Sequence, residues 1–413
     1  MTMKKISECR VCKNKNIRKF FNLGNQPFAN SLLKTPNEKE KFYPLSLSWC
    51  PNCNLVQLNH TADPKELFSN YIWVTATSKV AKEHAVNFYK EILSRTENLH
   101  EGYTLEVASN DGTFLIPFIE NGHKALGVDP AKNIADKAIR EGVSTICGFF
   151  GEGLAREVIR EYGYAQIVFA RNVLPHVANL HDFVKGLRLC VEDEGLLVLE
   201  VHYAEKICEE LHYDSIYHEH LCYFTLKSIE QLINQYGLFV FDIEKSPISG
   251  GSLVLYIKKN KTEEKPIVQS YREVEKEIEL NELSNWEEFA KKAYSHREEL
   301  LEIMNNLRKE DKIIVGYGAS ARSSTLLSFC GIDTKFISMI ADQNPLKQGL
   351  YTAGTHIPID SPENVMEKKP DYVFILAWNF ADEIIDILRR RFNYTGKCII
   401  PLPNNPKILR IYK

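Results

Sequence analysis

Short apolar runs alternate with amphipathic stretches from residue 103 onward. In YTLEVASNDG (103–112), Leu105 and Val107 predict a buried parallel strand ending in a Ser-Asn-Asp-Gly turn, and TFLIPFIENG predicts a following helix. KALGVDP predicts a second strand ending at Asp129, and STICGFFGEG a third region carrying Phe149 and Phe150. AQIVFARNVLPH (165–176) and GLLVLEVHY (195–203) read as two more strands, and the segment before them, about 69–100, as helical. Strands alternating with helices predict an α/β fold with a doubly wound parallel sheet, whose ligands sit at the carboxyl ends of the strands. Residues 259–310 are highly charged, with Trp286, Phe289, Ala293, Leu300, Met304 and Leu307 at helical spacing and Ser284 as expected N-cap. They read as a connecting helix packed on a neighbour. KIIVGYGASARSSTLLSF (312–329), KFISMIADQNP and DYVFILAW (371–378) then predict a second, smaller Rossmann-like unit. The expected division is 1–68, 69–258, a helical linker 259–310, and 311–413.

Bulk properties narrow the function classes. A chain of 413 residues, 44% hydrophobic and 25% charged, fits two to four soluble globular domains. A net charge of −3 leaves no excess of Lys and Arg to track phosphates, which argues against nucleic acid as a partner. No apolar run approaches the ~18 residues of a membrane span. The opening MTMKKISECR lacks the apolar core of a signal peptide, so a cytoplasmic protein without membrane attachment is expected. Its ten cysteines then read as thiols or ligands. Four form two C-x-x-C knuckles, Cys9 with Cys12 and Cys50 with Cys53, separated by 37 residues. Two such knuckles complete a closed tetrahedral zinc site of structural type. The competing readings are two unrelated pairs of buried thiols, or a redox C-x-x-C, which would not need a second copy.

Two loops offer nucleotide-type sites. Glu106, Ala108, Asn110 and Gly112 occupy alternate positions, with Asp111 among them, in the layout of a methyltransferase loop E-x-G-x-G-x-G with two glycines replaced. Backbone must approach a cofactor there, so small or turn-forming residues are required. Asp129, 23 residues after Glu106, can accept from a ribose diol. The alternative is a tight strand–helix turn with no ligand. Gly316, Gly318 and Ala321 spell the dinucleotide fingerprint G-x-G-x-x-A, followed by Asp342, which read alone favours NAD. Helix N-termini bind any phosphate, so a nucleotide-diphosphate substrate fits the same geometry. Arg322 and Lys347 suit its phosphates or are solvated surface charges. Finally, DSIYHEH (214–220) sets Tyr217, His218, Glu219 and His220 side by side. The spacing is wrong for the zinc motif H-E-x-x-H and suits proton transfer instead.

Taken together, the paired knuckles, LEVASNDGTFL, GVDPAKNIADKA, NVLPHVANLHDF, IYHEHLCYF, GGSL, GYGASARSSTLLSF, ADQNPLKQG and GTHIPI resemble, in order and through nearly the whole chain, a known family. It is that of the three-domain, S-adenosylmethionine-dependent sugar C-methyltransferases acting on nucleotide-linked 4-ketohexoses, with C3 as the methylated carbon. The resemblance implies a zinc-binding N-terminal domain, a methyltransferase core that takes the methyl donor, and a C-terminal domain that helps hold the nucleotide. It implies Glu106, Ala108, Asn110, Asp111, Gly112, Asp129, Phe149 and Asn172 around S-adenosylmethionine. It implies Gly318, Ala319, Ser320, Arg322, Asn344 and Lys347 around a dTDP- or GDP-linked ketosugar, and a monomer making a branched-chain deoxysugar. His220 is implied as the base, with Tyr217 as competitor or partner. Glu219 would orient the base or bind a sugar hydroxyl, His176 and Asn172 would meet the developing oxyanion or substrate, and Tyr71 would lie near the sugar. His218, alternating with His220, reads as a packing residue, His176 also reads as a core histidine, and one of Phe149 and Phe150 as core. The chain departs from the family at Val254 (GGSLV for GGSLR), at TAGTHIPI for LPGTHIPI, and at Arg171 before Asn172, which weakens transfer of substrate identity. The competing functions are an NAD-dependent nucleotide-sugar oxidoreductase, which leaves Glu106 and Asp129 unexplained, and a non-catalytic zinc-ribbon interaction protein, which has no need of YHEH.

Overall fold

The structure is a computed structural model that describes residues 3–69, 74–96, 102–246 and 251–412. Its largest sheet has seven strands, in the order Phe239–Ser246, Ser252–Lys258, Val191–His202, Ala165–Arg171, Tyr103–Val107, Lys124–Asp129, Thr145–Cys147. The last five are parallel and correspond to the five predicted strand regions. Tyr103–Val107 is buried at every position, as a strand covered on both faces must be. The first two form an antiparallel edge hairpin that the apolar pattern did not announce. Within the expected helical segment, Lys79–Leu93 is α-helical, with the Ser78 hydroxyl accepting from Ala81 N at its start. Its Ala81, Ala85, Phe88 and Ile92 face inward.

The N-terminal sheet pairs Arg18–Gln26, Tyr43–Trp49 and Val56–Leu58 antiparallel. Its fourth strand, Cys222–Tyr223, arrives from far along the chain, immediately after the YHEH loop. The charged linker forms helices Pro266–Glu277 and Leu283–Lys309. All six residues of the predicted stripe are buried. The expected cap at Ser284 is corrected: Glu282 is the N-cap, with extended φ −94° and ψ 144°, and Ser284 lies inside the first turn, where its own backbone is already helical. The Asn281 carbonyl accepts from Trp49 Nε1 (3.0 Å) and Asn54 Nδ2 (2.8 Å) of the N-terminal domain. The Asn281 side chain bonds Glu275 and Thr225, so one buried residue joins three parts of the molecule.

The C-terminal sheet runs Ile359–Asp360, Ile340–Ala341, Ile314–Tyr317, Tyr372–Ile375, Lys397–Ile400, Lys407–Arg410, parallel except for the last strand. It meets the N-terminal domain through Leu33, which pairs with Tyr351, and through Glu40, which accepts from Gly354 N (2.7 Å) and contacts His356 Nε2 (2.5 Å). Among the described residues no helix is long and apolar enough to cross a membrane.

Candidate active site and metal centre

The two knuckles fold identically. In each, the amide four residues after the first cysteine returns to that cysteine's carbonyl, Lys13 N to Cys9 O at 3.0 Å and Asn54 N to Cys50 O at 2.9 Å. Lys13 and Asn54 both take left-handed φ, 60° and 59°, which turns the chain so that both sulfurs of a knuckle face one point. The four Sγ atoms lie within 4.8 Å of one another, Cys9 and Cys53 at 3.3 Å and Cys12 and Cys50 at 3.4 Å. A tetrahedron with Zn–S near 2.3 Å has edges of about 3.8 Å, so the donor set fits one zinc ion. Contact with Cys50 pushes the Cys9 thiol up to about 12 and Cys53 far up, while Cys53 pulls Cys50 down to about 2. Sulfurs this close hold several negative charges only around a cation.

In the loop after Tyr103–Val107, Ala108, Asn110 and Gly112 all take left-handed φ, 58°, 50° and 78°. A Cβ at Gly112 would stand 2.7 Å from Val143, so this position must be glycine. Asp129 holds the turn in shape: its Oδ2 accepts from Asn110 N and its Oδ1 from Ala131 N, each at 2.9 Å. Burial pushes its carboxyl up. Asn110 Oδ1 accepts from Thr75 N (2.9 Å) and Asp111 Oδ2 from Ala76 N (3.0 Å), latching the segment around residue 75 onto the loop. Tyr71 lies outside the described residues. Glu106 is buried and its Oε2 has no partner among the described residues. Burial pushes Glu106 up, and Arg171, 4.0 Å away, opposes that shift. A buried acceptor without a donor beside a loop shaped for close approach fits a ligand that brings its own cationic donor. Phe149 is 41% exposed beyond the third strand, whereas Phe150 packs edge-on against Phe183 at 5.7 Å. A cleft of about 470 Å³ opens on the helix side of the loop, bordered by Ala76, Asp111, Thr113 and Lys137; it does not reach Glu106 or Asp129.

Sequence reasoning missed the pair beneath this loop. Arg171 Nε donates to Glu200 Oε2 at 2.7 Å, and its guanidinium lies 3.0 Å from the Phe114 ring centroid. Burial works against the Glu200 charge, yet Arg171, His84 and Ser246 outweigh it and hold the carboxyl down at about 2. The available signal was a lone carboxylate inside the apolar run GLLVLEVHY.

The YHEH residues lie in an irregular loop between the 3₁₀ turn Tyr213–Ser215 and the strand Cys222–Tyr223. His220 Nδ1 stands 2.8 Å from the Ser215 carbonyl, which can only accept, so the neutral ring carries its proton there. Nε2 is then the acceptor for the Tyr217 hydroxyl at 2.8 Å. Burial pushes His220 well down, and His176, His202 and Arg322 add to the shift. His176 lies edge-on to His220 with ring centroids 4.8 Å apart; its Nδ1 donates to the Glu219 carbonyl at 2.9 Å, and burial takes it down to about 4. Asn172, with left-handed φ of 50°, ends the strand leading there, and its amide donates to the Glu200 carbonyl at 2.6 Å. Glu219 is 4% exposed; burial pushes it up to about 7, and Asn30 Nδ2, 2.6 Å from Oε1, works the other way. His218 turns away from His220 and packs against Phe28 and Tyr43 at 5.3 and 6.2 Å.

The C-terminal unit reaches this loop directly. Asp214 accepts from Arg322 Nη2 (3.0 Å) and Trp378 Nε1 (2.7 Å), and Thr325 Oγ1 donates to the Ile216 carbonyl at 2.9 Å. Arg322 thus has an internal carboxylate partner, which the sequence did not reveal. Ala319, Asn344 and Lys347 gather around Asp342, Gly318 N donates to the neighbouring Ala341 carbonyl, and the Ser320 hydroxyl caps the following helix by accepting from Ser323 N. The Asp342 carboxylate accepts from Ala319 N (2.8 Å) and Asn344 N (2.9 Å), and Lys347 Nζ bonds the Ala319 carbonyl at 2.7 Å and Asp342 at 3.3 Å.

Comparison with known proteins returns three family matches along the chain: "Putative zinc binding domain" over residues 9–68, "Methyltransferase domain" over 81–242, and "C-methyltransferase C-terminal domain" over 247–403. The C-methyltransferase NovU of Streptomyces niveus is 31% identical over 408 residues, spanning 98% of this chain and 97% of the relative. Among solved structures, an S-adenosylmethionine-dependent methyltransferase from Anabaena variabilis aligns over 44% of this chain and 85% of its own, with 16% identity and a TM-score of 0.36. The PH0226 protein of Pyrococcus horikoshii aligns over 48% and 98%, with 15% identity and a TM-score of 0.36.

Proposed function

The chain belongs to the S-adenosylmethionine-dependent C-methyltransferases, with zinc as a structural ion, and from that premise we propose that its acceptor is a nucleotide-linked 4-ketosugar methylated at C3, beside the ketone. The observation that carries this reading is the hydrogen-bonded Tyr217–His220 pair, held neutral in a buried loop where the methyltransferase domain and the C-terminal unit meet. Forming a carbon–carbon bond needs a carbanion-like carbon, and a hydrogen next to a ketone can be removed because the enolate spreads charge onto oxygen. His220, with its proton fixed on Nδ1, has its Nε2 lone pair free to take that hydrogen once Tyr217 turns its hydroxyl to the substrate. Glu219 accepts from a sugar hydroxyl. His176 and Asn172 line the strand end where the enolate oxygen develops, and Tyr71 is assigned to the sugar from the family resemblance alone.

Glu106, Ala108, Asn110, Asp111, Gly112, Asp129, Phe149 and Asn172 would hold the methyl donor, which supplies an electrophilic methyl as a sulfonium. Gly318, Ala319, Ser320, Arg322, Asn344 and Lys347 would hold the nucleotide end, with Arg322 also bracing Asp214. Mass spectrometry tests the proposal. Purified protein with S-adenosylmethionine and dTDP-, GDP- and CDP-linked 4-keto-deoxysugars should add one methyl to one of them, and His220→Asn should abolish the gain. Binding of NAD in place of S-adenosylhomocysteine, or methyl transfer only to acceptors without a ketone, would overturn it.

A further inference from the structure

We propose that Asn30, carried by the zinc-binding domain, is a positioning residue for acceptor binding: its side-chain amide holds the Glu219 carboxylate in place at the methyl-acceptor site. This rests on the assignment of Glu219 to a sugar hydroxyl. Glu219 is almost wholly buried, and the side-chain bond described for it is the one from Asn30 Nδ2 at 2.6 Å. An amide N–H can only donate, so the contact fixes Oε1 as its acceptor and leaves Oε2 to meet a hydroxyl.

The segment that carries Asn30 is gripped at both ends. Two residues before it, Phe28 stacks on Tyr43 at 4.7 Å and meets the His218 ring at 5.3 Å. Three residues after it, Leu33 exchanges both backbone hydrogen bonds with Tyr351 of the C-terminal unit, each at 2.9 Å. Asn30 itself is exposed, so its amide is not placed there to fill a core. Among the described residues lining the small cavity beside Glu219 there is no cation. Pro64, Leu67 and Phe68 are uncharged, and His176 and His218 are both held neutral, each down at about 4 by burial. Tyr217 and His220 pair with each other. Among the described residues, Asn30 is the group that favours the ionised form of Glu219 against burial.

The experiment compares full-length, zinc-loaded wild type with Asn30→Ala, Asn30→Ser and Glu219→Gln. Asn30→Ala should raise the acceptor KM about tenfold, the size expected for one hydrogen bond to a charged group. It should leave S-adenosylhomocysteine binding and zinc content unchanged. It should also move the acid limb of kcat/KM to higher pH, because a donor that favours the carboxylate is gone. Asn30→Ser, with a shorter donor, should fall between. Superimposable pH profiles and KM values for both Asn30 variants and wild type, beside an impaired Glu219→Gln, would overturn this inference and leave the assignment of Glu219 standing. A Glu219→Gln enzyme equal to wild type would sink that assignment, and this inference with it. A uniform loss of kcat, donor binding and zinc in the Asn30 variants would mark a merely structural residue and also overturn it.

Discussion

Two histidines at the YHEH loop, His220 and His176, are set by the carbonyls they face. The Ser215 carbonyl holds the proton of His220 on Nδ1, and the Glu219 carbonyl does the same for His176. Burial keeps both rings neutral, so the proton-accepting form of His220 is present throughout the physiological range. His220→Asn should lower turnover by about 10²–10⁴-fold while S-adenosylhomocysteine binds as before, measured by single-turnover mass spectrometry and calorimetry. Glu219 titrates differently. Its carboxyl is raised by burial from the ordinary 4.5 to about 7, so the folded state holds that proton more tightly than the unfolded chain. The penalty on the fold is complete above pH 7 and fades as pH falls through 7 toward 4.5. Glu219→Gln should therefore stabilise the protein at pH 8 by up to about 3 kcal/mol and gain nothing at pH 4, as read from urea unfolding at the two pH values. Its activity should move oppositely, with the acid limb near pH 7 disappearing.

At the scale of elements, the two Rossmann-like units use one device twice. The aspartate ending the second strand takes an amide of the preceding loop and the amide two residues after itself: Asn110 and Ala131 for Asp129, Ala319 and Asn344 for Asp342. In both, a carboxylate braces the turn between a strand and the helix that follows. Asp129→Ala should weaken S-adenosylhomocysteine binding at least tenfold, because two amides lose their acceptor and the left-handed turn at Ala108 and Asn110 relaxes. Asp342→Ala should leave donor affinity unchanged and raise the acceptor KM. Titration calorimetry with the donor product separates the two.

Across the whole molecule, the loop that carries YHEH is held by the zinc-binding, methyltransferase and C-terminal units at once. Its far end, Cys222–Tyr223, is the edge strand of the zinc domain's sheet, with Leu58 N donating to the Leu221 carbonyl at 2.9 Å. Its near end, Asp214 and Ile216, is clamped by Arg322, Trp378 and Thr325 of the C-terminal unit. The loop 106–112 leaves a separate sheet, at the end of Tyr103–Val107. Removing zinc should therefore abolish methyl transfer while S-adenosylhomocysteine affinity falls less than about threefold. Metal analysis should return one zinc per chain, and re-addition should restore activity. Loss of donor binding in step with zinc would contradict this view of the assembly.

Much of this was legible in the chain. A parallel strand buried on both faces writes itself as an apolar run, and a turn that must take left-handed φ writes itself as Ala108, Asn110 and Gly112. Four cysteines in two knuckles state their own geometry, and the stripe from Trp286 to Leu307 states its own face. The hairpin Phe239–Lys258 was not legible, because an edge pair inside a charged and apolar mixture lacks that continuous signal. The partner of Arg322 was not legible either: Asp214 lies 108 residues away, and a surface arginine and a bracing one have the same sequence. Nor does anything local place Asn30 against Glu219, 189 residues on, or pair Cys222 with Gln57. The sequence by itself determined which residue types could do the chemistry and where each strand would turn, because sterics and periodicity act over a few neighbours. Only the tertiary structure decided which proton sits on which nitrogen, which buried carboxylate has which partner, and which domains meet at the YHEH loop, because burial and hydrogen bonding act between residues that the chain keeps far apart.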